Sequence, residues 1–340
     1  MGTKWLFWFE ELDSGHNDLV GKKCAKLGEM TRLGMRIPPG FAISVEGYER
    51  FMAETGAGEE IRCYVRENQD HLKEVQHQIK ASQAIRNIIE SKEMPPDMKE
   101  ELFRYYDQLK ERAGGKELAV AVRSSGAVSM PGQMESYLNV RRKESVLQKV
   151  IQVWGSAFTT RAIAFRLEKG MAMEKAPIGI AVLKMVEAKS AGVVLTVLPT
   201  IGDLSKVVVE GNWGLGESVV SGEINPDQFI IDKLNGAVEM TINRKTKRVV
   251  YHNLGTITED VPVEIQDKPC VGQEELKEIV RIAKEVEAHF QCPQDMEWVL
   301  DRGNSVPENL YWVQARPAKY AKVKEKEAEY LAELMTRLFK

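Results

Sequence analysis

Residues 119–125 read Ala-Val-Ala-Val-Arg-Ser-Ser, and 126–136 continue Gly-Ala-Val-Ser-Met-Pro-Gly-Gln-Met-Glu-Ser. The run Ala119–Arg123 is short and apolar, the pattern of a buried strand, and it closes on an arginine. Ser124, Ser125, Gly126, Ser129 and Gly132 then supply hydroxyls and free backbone N–H groups. Loops of this kind fold over phosphates. Met130-Pro131 gives the loop an apolar tip, suited to shielding a reacting phosphoryl group from water. A plain Gly/Ser connection also fits these residues, although an arginine at the strand end argues against it.

A second pair of runs speaks to the same chemistry. In Asp295-Met296-Glu297-Trp298-Val299-Leu300, Met296, Trp298 and Leu300 face the core, leaving Asp295 and Glu297 on the other side. In Tyr311-Trp312-Val313-Gln314-Ala315-Arg316, Gln314 and Arg316 share a face. If the runs pair as a hairpin, Glu297, Gln314 and Arg316 converge. A carboxylate with an amide oxygen suits Mg²⁺, which keeps water and phosphate oxygens for its other positions. An arginine beside them suits a phosphoryl group, because its planar fork stays charged and binds bidentately. A surface hairpin with an ordinary Glu/Arg pair fits the spacing equally well.

Two weaker signals remain. Lys22 and Lys23 follow Gly21 at a helix start, where a lysine can reach phosphate, although a solvated lysine pair is the plainer reading. Gly211–Glu217 is glycine-rich but matches neither a P-loop nor a dinucleotide fingerprint.

Composition sets the frame. The 340 residues suggest two domains or lobes, and 43% hydrophobic with 29% charged residues is ordinary for a globular protein. A net charge of −3 offers no footprint for nucleic acid or an anionic membrane. No apolar run is long enough to span a bilayer, and the apolar start is too short for a signal peptide, so a cytoplasmic protein is expected. Cys24, Cys63, Cys270 and Cys292 are scattered and read as reduced thiols. His16, His71, His77, His252 and His289 do not cluster.

Along the chain, the spacing predicts a strand over 4–9, a helix over 21–33, and a short strand at 41–43 leading into a helix near Ser44. Residues 58–112 are polar with helical spacing, broken at Pro95-Pro96. Val146–Lys169 reads as one helix, and strands follow at 178–186, 192–197, 206–210, 228–232, 237–242 and 248–251. An amphipathic helix is predicted over 273–290, then strands at 296–300 and 310–315. The tail 321–340 reads as a charged helix with Leu331, Leu334, Met335, Leu338 and Phe339 on one stripe, packing on its own lobe or docking a partner.

Several strings in fixed order now make a resemblance. They include Val20-Gly21-Lys22-Lys23-Cys24-Ala25-Lys26-Leu27-Gly28, Pro38-Pro39-Gly40-Phe41, Val122-Arg123-Ser124-Ser125, Thr159-Thr160-Arg161-Ala162, Trp213-Gly214-Leu215-Gly216-Glu217 and Gln314-Ala315-Arg316-Pro317. The chain resembles, from about residue 5 to 318, the N-terminal nucleotide-binding part of phosphoenolpyruvate synthase and pyruvate phosphate dikinase. That resemblance implies an α+β ATP-grasp fold of two lobes with nucleotide between them. The first lobe is expected over 1–186 with a helical insert at 58–112, the second over 187–320, and a C-terminal helix over 321–340.

The resemblance further implies ATP and Mg²⁺ as cofactors. Lys23 falls on the family's phosphate-contacting lysine and Arg123 on its arginine at the triphosphate. Ser129, Met130 and Gly132 fall on the loop that covers the phosphates, and Arg161 on a further arginine of the site. Lys184, Met185 and Val186 sit where the family holds adenine by its backbone, and Glu217 lies in the ribose-side motif. Glu297 and Gln314 match the metal-binding pair and Arg316 the arginine that follows. Lys23, Arg123 and Arg316 are thus the expected catalytic charges. Lys22 and Cys24 stand where the family's first motif has glycines, and Leu195 where it has phenylalanine.

Full-length members continue into a swivelling domain with a phosphorylatable histidine and then a pyruvate-binding barrel. The 340 residues stop short of both, and are similar to the family's stand-alone ATP-binding subunit of phenylphosphate synthase. The expectation is an ATP-dependent phosphotransferase subunit that works with a histidine-bearing partner subunit. It would pass the β-phosphoryl of ATP to that histidine, releasing AMP and phosphate, with phenol as final acceptor. A split phosphoenolpyruvate synthase acting on pyruvate and a non-catalytic nucleotide sensor are the alternatives. A complete small-molecule kinase would need an acceptor pocket and a base that no motif supplies.

Overall fold

A computed structural model describes residues 4–115, 117–126, 134–173, 175–220, 222, 224–252 and 255–321. Ser129, Met130 and Gly132, and the expected helix beyond Ala321, lie outside the described residues. The chain forms two compact units, Met1–Val186 with Tyr251–Ile257, and Glu187–Val250 with Thr258–Lys340.

The first unit opens with β1 (Leu6–Trp8), α1 (Asn17–Arg32), β2 (Gly40–Ile43) and α2 (Val45–Glu54). Ser44 Oγ accepts the Gly47 N–H at 3.2 Å and caps α2. The polar stretch then forms α3 (Ala57–Asn68), α4 (Val75–Glu90) and α5 (Pro96–Arg112). α5 starts on Pro96, whose missing N–H costs nothing in the first turn. β3 (Ala119–Ser125), β4 (Ser136–Arg141), α6 (Lys143–Ser156), α7 (Thr160–Glu168) and β5 (Gly179–Lys184) complete the unit. The single helix expected over 146–169 is in fact two. Thr159 Oγ1 accepts the Ala162 N–H at 3.2 Å and caps a fresh helix, a local bond that the apolar stripe did not reveal.

The five strands pair antiparallel in the order β1-β2-β5-β3-β4. Both faces are covered. Phe41, Ile43, Val120, Val122, Ile180 and Val182 join a core with residues of α2–α6, including Phe51, Ile85, Leu102 and Trp154. Ala42, Ala121, Ala181 and Leu183 pack on the other face against Cys24, Ala25 and Leu27 of α1. Burial on two faces explains the unbroken apolar runs of β3 and β5, whereas a half-solvated strand would alternate.

The second unit contains β6 (Ala188–Leu195), β7 (Lys206–Trp213), α8 (Glu217–Val220), β8 (Asp227–Asp232) and β9 (Val238–Thr241). β10 (Lys247–His252) and β11 (Gly255–Asp260) pair with each other, with Tyr251–Ile257 counted in the first unit. α9 (Gln273–Phe290), β12 (Gln294–Asp301) and β13 (Leu310–Pro317) close the described fold. Its sheet runs β13-β12-β6-β7-β8-β9, all antiparallel. Met296, Trp298 and Leu300 are fully buried on the core face. Gly192 and Gly211 make room for the Trp298 ring, since a Cβ on either would lie 2.7–2.8 Å from it. Among the described residues no helix is long and apolar enough to cross a membrane.

Candidate functional site

In the first unit, the start of α1 meets the end of β3. Gly21 has φ +76°, and α1 is helical on either side of it. A Cβ at Gly21 would lie 1.9 Å from the Ser125 carbonyl oxygen, so only glycine fits. The Cys24 N–H donates to Ser125 Oγ at 3.0 Å, and the Lys22 N–H donates to the Gly126 carbonyl at 3.1 Å. Lys23 lies between these two pinned residues. Arg123 sits two residues before Ser125, opposite Ala181 on β5. Alternation places it with Ala121 on the α1 face of the sheet. The fold therefore brings the elements bearing Lys23 and Arg123 together, through bonds the sequence did not announce.

The two departures from the family motif fall outside the strained position. Lys22 and Cys24 keep helical dihedrals, and only Gly21 does not. Lys22 is exposed, while Cys24 is fully buried in the α1-side core. Burial pushes the Cys24 thiol up to about 12 despite its bond to Ser125, so it is a packing group and not a nucleophile.

Lys184, Met185 and Val186 lie at the end of β5. The Lys184 N–H is bound to Pro39 O at 2.8 Å and the Met185 N–H to Ala119 O at 2.9 Å. The Val186 carbonyl accepts from the Tyr251 hydroxyl. Arg161 is exposed on the first turn of α7.

In the second unit, Glu297 stands directly opposite Gln314, and Asp295 opposite Arg316. A register shift between Glu297 and Trp298 sets Trp298 against Trp312, leaving Val313 as an extra residue. This bulge matters. Without it, Gln314 would share the buried face of Trp312. With it, Trp312 and Ala315 both point inward, and Gln314 and Arg316 turn to the side of Glu297. Arg316 Nε and Nη2 both donate to Asp295 Oδ2, at 2.9 and 2.8 Å. Asp295 orients the guanidinium, a role the sequence reading had not assigned. The signal was present in the alternation of Asp295 with Glu297.

The same face continues across the sheet. Glu297 is opposite Val193, Val193 opposite Glu210, and Glu210 opposite Gln228. Gln228 Nε2 donates to Glu210 Oε1 at 2.8 Å. Glu210 could have been suspected as the lone acid in an apolar strand. Beyond β7, Gly214 has φ +79°, and the Leu215 N–H donates to Val249 O at 2.9 Å, which leads the chain into α8. Glu217 is exposed at the start of α8.

The donor set of Glu297 and Gln314, with Asp295 alongside, offers hard oxygen ligands of the kind Mg²⁺ takes in small number. Among the described residues no cluster of three or more His, Cys, Asp or Glu could hold a metal by itself. A divalent ion here therefore suits a site completed by phosphate oxygens and water.

A model of the family described as pyruvate phosphate dikinase, AMP/ATP-binding domain, matches residues 17–336. The chain is similar to phosphoenolpyruvate synthase of Aeropyrum pernix, 35% identical over 97% of this chain and 44% of that protein. It is also similar to the probable phosphoenolpyruvate synthases of Staphylothermus marinus (36% identical, 97% of this chain, 43% of that protein) and Methanocaldococcus jannaschii (35%, 95% and 27%). The chain thus spans less than half the length of these relatives.

Proposed function

Because the chain belongs to the pyruvate phosphate dikinase AMP/ATP-binding domain family, we propose that it binds Mg-ATP and begins an ATP-dependent phosphotransfer. The observation that bears most weight is the register pair Glu297–Gln314, with Arg316 oriented beside it by Asp295. Bound Mg²⁺ would neutralise phosphate charge. Glu297 and Gln314 would hold it, and Arg316 would grip phosphoryl oxygens with the part of its fork left free by Asp295. In the first unit, Lys23 and Arg123 add positive charge at the α1–β3 contact. Catalysis would rest on positioning and charge stabilisation, the main terms in phosphoryl transfer.

The finer reading is that the β-phosphoryl passes to a histidine on a partner subunit, leaving AMP and phosphate. For the final acceptor, the names of the relatives favour pyruvate. Phenol, implied by the likeness to a stand-alone synthase subunit, is the second candidate. Against the sensor alternative, the glycine that the turn requires, Gly21, is retained, and Lys22 and Cys24 keep helical dihedrals.

The test uses ATP labelled at the β-phosphate with Mg²⁺, the protein and an extract of its host. An acid-labile, base-stable label on a separate polypeptide is expected. It should vanish with Glu297→Ala or Arg316→Ala, and be discharged by pyruvate or by phenol. Full labelling by either variant would overturn the site assignment. Tight ATP binding with no label anywhere would favour the sensor.

A further inference from the structure

Three helices of the first unit each bury a hydrogen-bond donor that has no acceptor. Arg166, on α7, is 2% exposed, and its Nη1 has no partner. Trp154, on α6, is fully buried with its indole N–H unpaired. Tyr48, on α2, is 4% exposed with its hydroxyl unpaired. A buried donor left unmade costs its full desolvation, and native structures hold few of them.

The three side chains adjoin. The Tyr48 ring meets Trp154 edge-on, with centroids 6.1 Å apart. Burial raises the Tyr48 phenol above its ordinary value, and the Arg166 charge is the largest influence opposing that rise, so the two groups lie within electrostatic reach. The Ala176 N–H acts on the Tyr48 oxygen as a donor, so the phenolic O–H is itself left without an acceptor. The Arg166 guanidinium lies 5.0 Å from the Phe158 ring centroid, an attraction that covers one face and uses none of its N–H groups.

What this cluster lacks is negative charge. Among the described residues no carboxylate acts on Arg166, whose guanidinium is pushed down by burial and opposed only by Tyr48. The neighbouring acids Glu49 and Glu168 are exposed. A guanidinium keeps its proton, so the charge needs a counter-charge beside it. Water would satisfy the N–H groups and leave the charge unbalanced. Side chains this deeply buried leave no opening for a phosphate ester, whereas a single spherical anion balances a single guanidinium. Donors set among aromatic rings favour a large, weakly hydrated ion, which loses least on leaving water.

We propose that the first unit holds a chloride-sized monovalent anion between α2, α6 and α7, bound by the Arg166 guanidinium, the Tyr48 O–H and the Trp154 N–H.

Thermal unfolding of the full chain in sodium chloride, exchanged for sodium gluconate at constant ionic strength, tests this. The melting temperature should rise saturably with chloride, because an ion bound only by the folded state stabilises it by mass action. Bromide should act at least as strongly, and fluoride should not act. Tyr48→Phe should weaken the apparent chloride affinity about tenfold, the loss of one hydrogen bond to a charged group. Arg166→Met should abolish the response, and Arg62→Gln, on the exposed side of α3, should leave it unchanged. Crystals of the unsubstituted protein grown in bromide should show an anomalous peak within hydrogen-bond distance of Arg166 Nη1, a readout that holds even if Arg166→Met fails to fold. A melting temperature indifferent to chloride at fixed ionic strength would overturn the proposal. So would a chloride response undiminished in Tyr48→Phe, or water alone beside Arg166 in the bromide crystals.

Discussion

At the scale of residues, the α1–β3 contact depends on one glycine and one buried thiol. Gly21 allows Ser125 to approach, and Cys24 fills the core directly behind. Burial raises the Cys24 thiol from its ordinary 9.0 to about 12. Above the ordinary value, the unfolded chain gives up this proton while the folded chain keeps it. Stability therefore falls with rising pH, by about 1.4 kcal/mol per pH unit for one such group, until the folded thiol itself ionises. Cys270 is pushed up by burial in the same way, so Cys24→Ala should remove part of that slope and leave part. Urea unfolding at several values between about pH 8 and about pH 10 measures it. An unchanged slope would mean that Cys24 does not stay buried. The residue scale was only partly legible. Lys23, Arg123, Glu297, Gln314 and Arg316 stood out by type and order. Asp295 showed only its alternation with Glu297, and its role exists only once Arg316 is across from it.

At the scale of elements, the decisive feature is the bulge at Val313. Strict alternation through Tyr311–Arg316 would turn Gln314 and Arg316 to the core with Trp312. The extra residue flips the phase in the middle of β13. Deleting Val313 should restore plain pairing and still leave Gln314 opposite Glu297, so Mg-ATP binding survives. Deleting Ala315 should turn Arg316 inward, where burying its charge costs several kcal/mol, and binding should be lost. Calorimetric titration of both, with circular dichroism as a fold check, settles the matter, and the reverse ranking would show that the bulge does not set the face. Helix boundaries followed the same logic. α9 matches its predicted range because its stripe is long and continuous, whereas the break between α6 and α7 depends on one cap at Thr159. β4 and β11 had no counterpart in the sequence reading, since short strands follow from the partners they find.

At the scale of the whole molecule, each unit has its own core, and the second also has a buried polar staple. In the second, Lys245 and Asp227 form a fully buried ion pair at 2.6 Å. Asp227 also accepts the Asn243 N–H at 3.1 Å and the Cys270 N–H at 2.8 Å. The pair joins β8 to the segments before β10 and before α9, all within that unit. Removing one partner leaves a buried charge uncompensated. Asp227→Ala should cost about 3–5 kcal/mol. Hydrogen exchange should place the loss in the second unit, with the β3–β5 pairing of the first unit unchanged. A loss below about 1 kcal/mol would put the pair in the range of surface ion pairs, despite its burial.

The sequence alone determined the family, the order of the main elements and the charged residues at the candidate site, because motif strings and apolar periodicity are local properties of a chain. Only the tertiary structure decided which of these residues meet. Gly21 against Ser125, Asp295 against Arg316 and the phase of Gln314 depend on contacts between segments far apart in sequence. Strand register and backbone proximity are set by packing, and no local pattern encodes them in full.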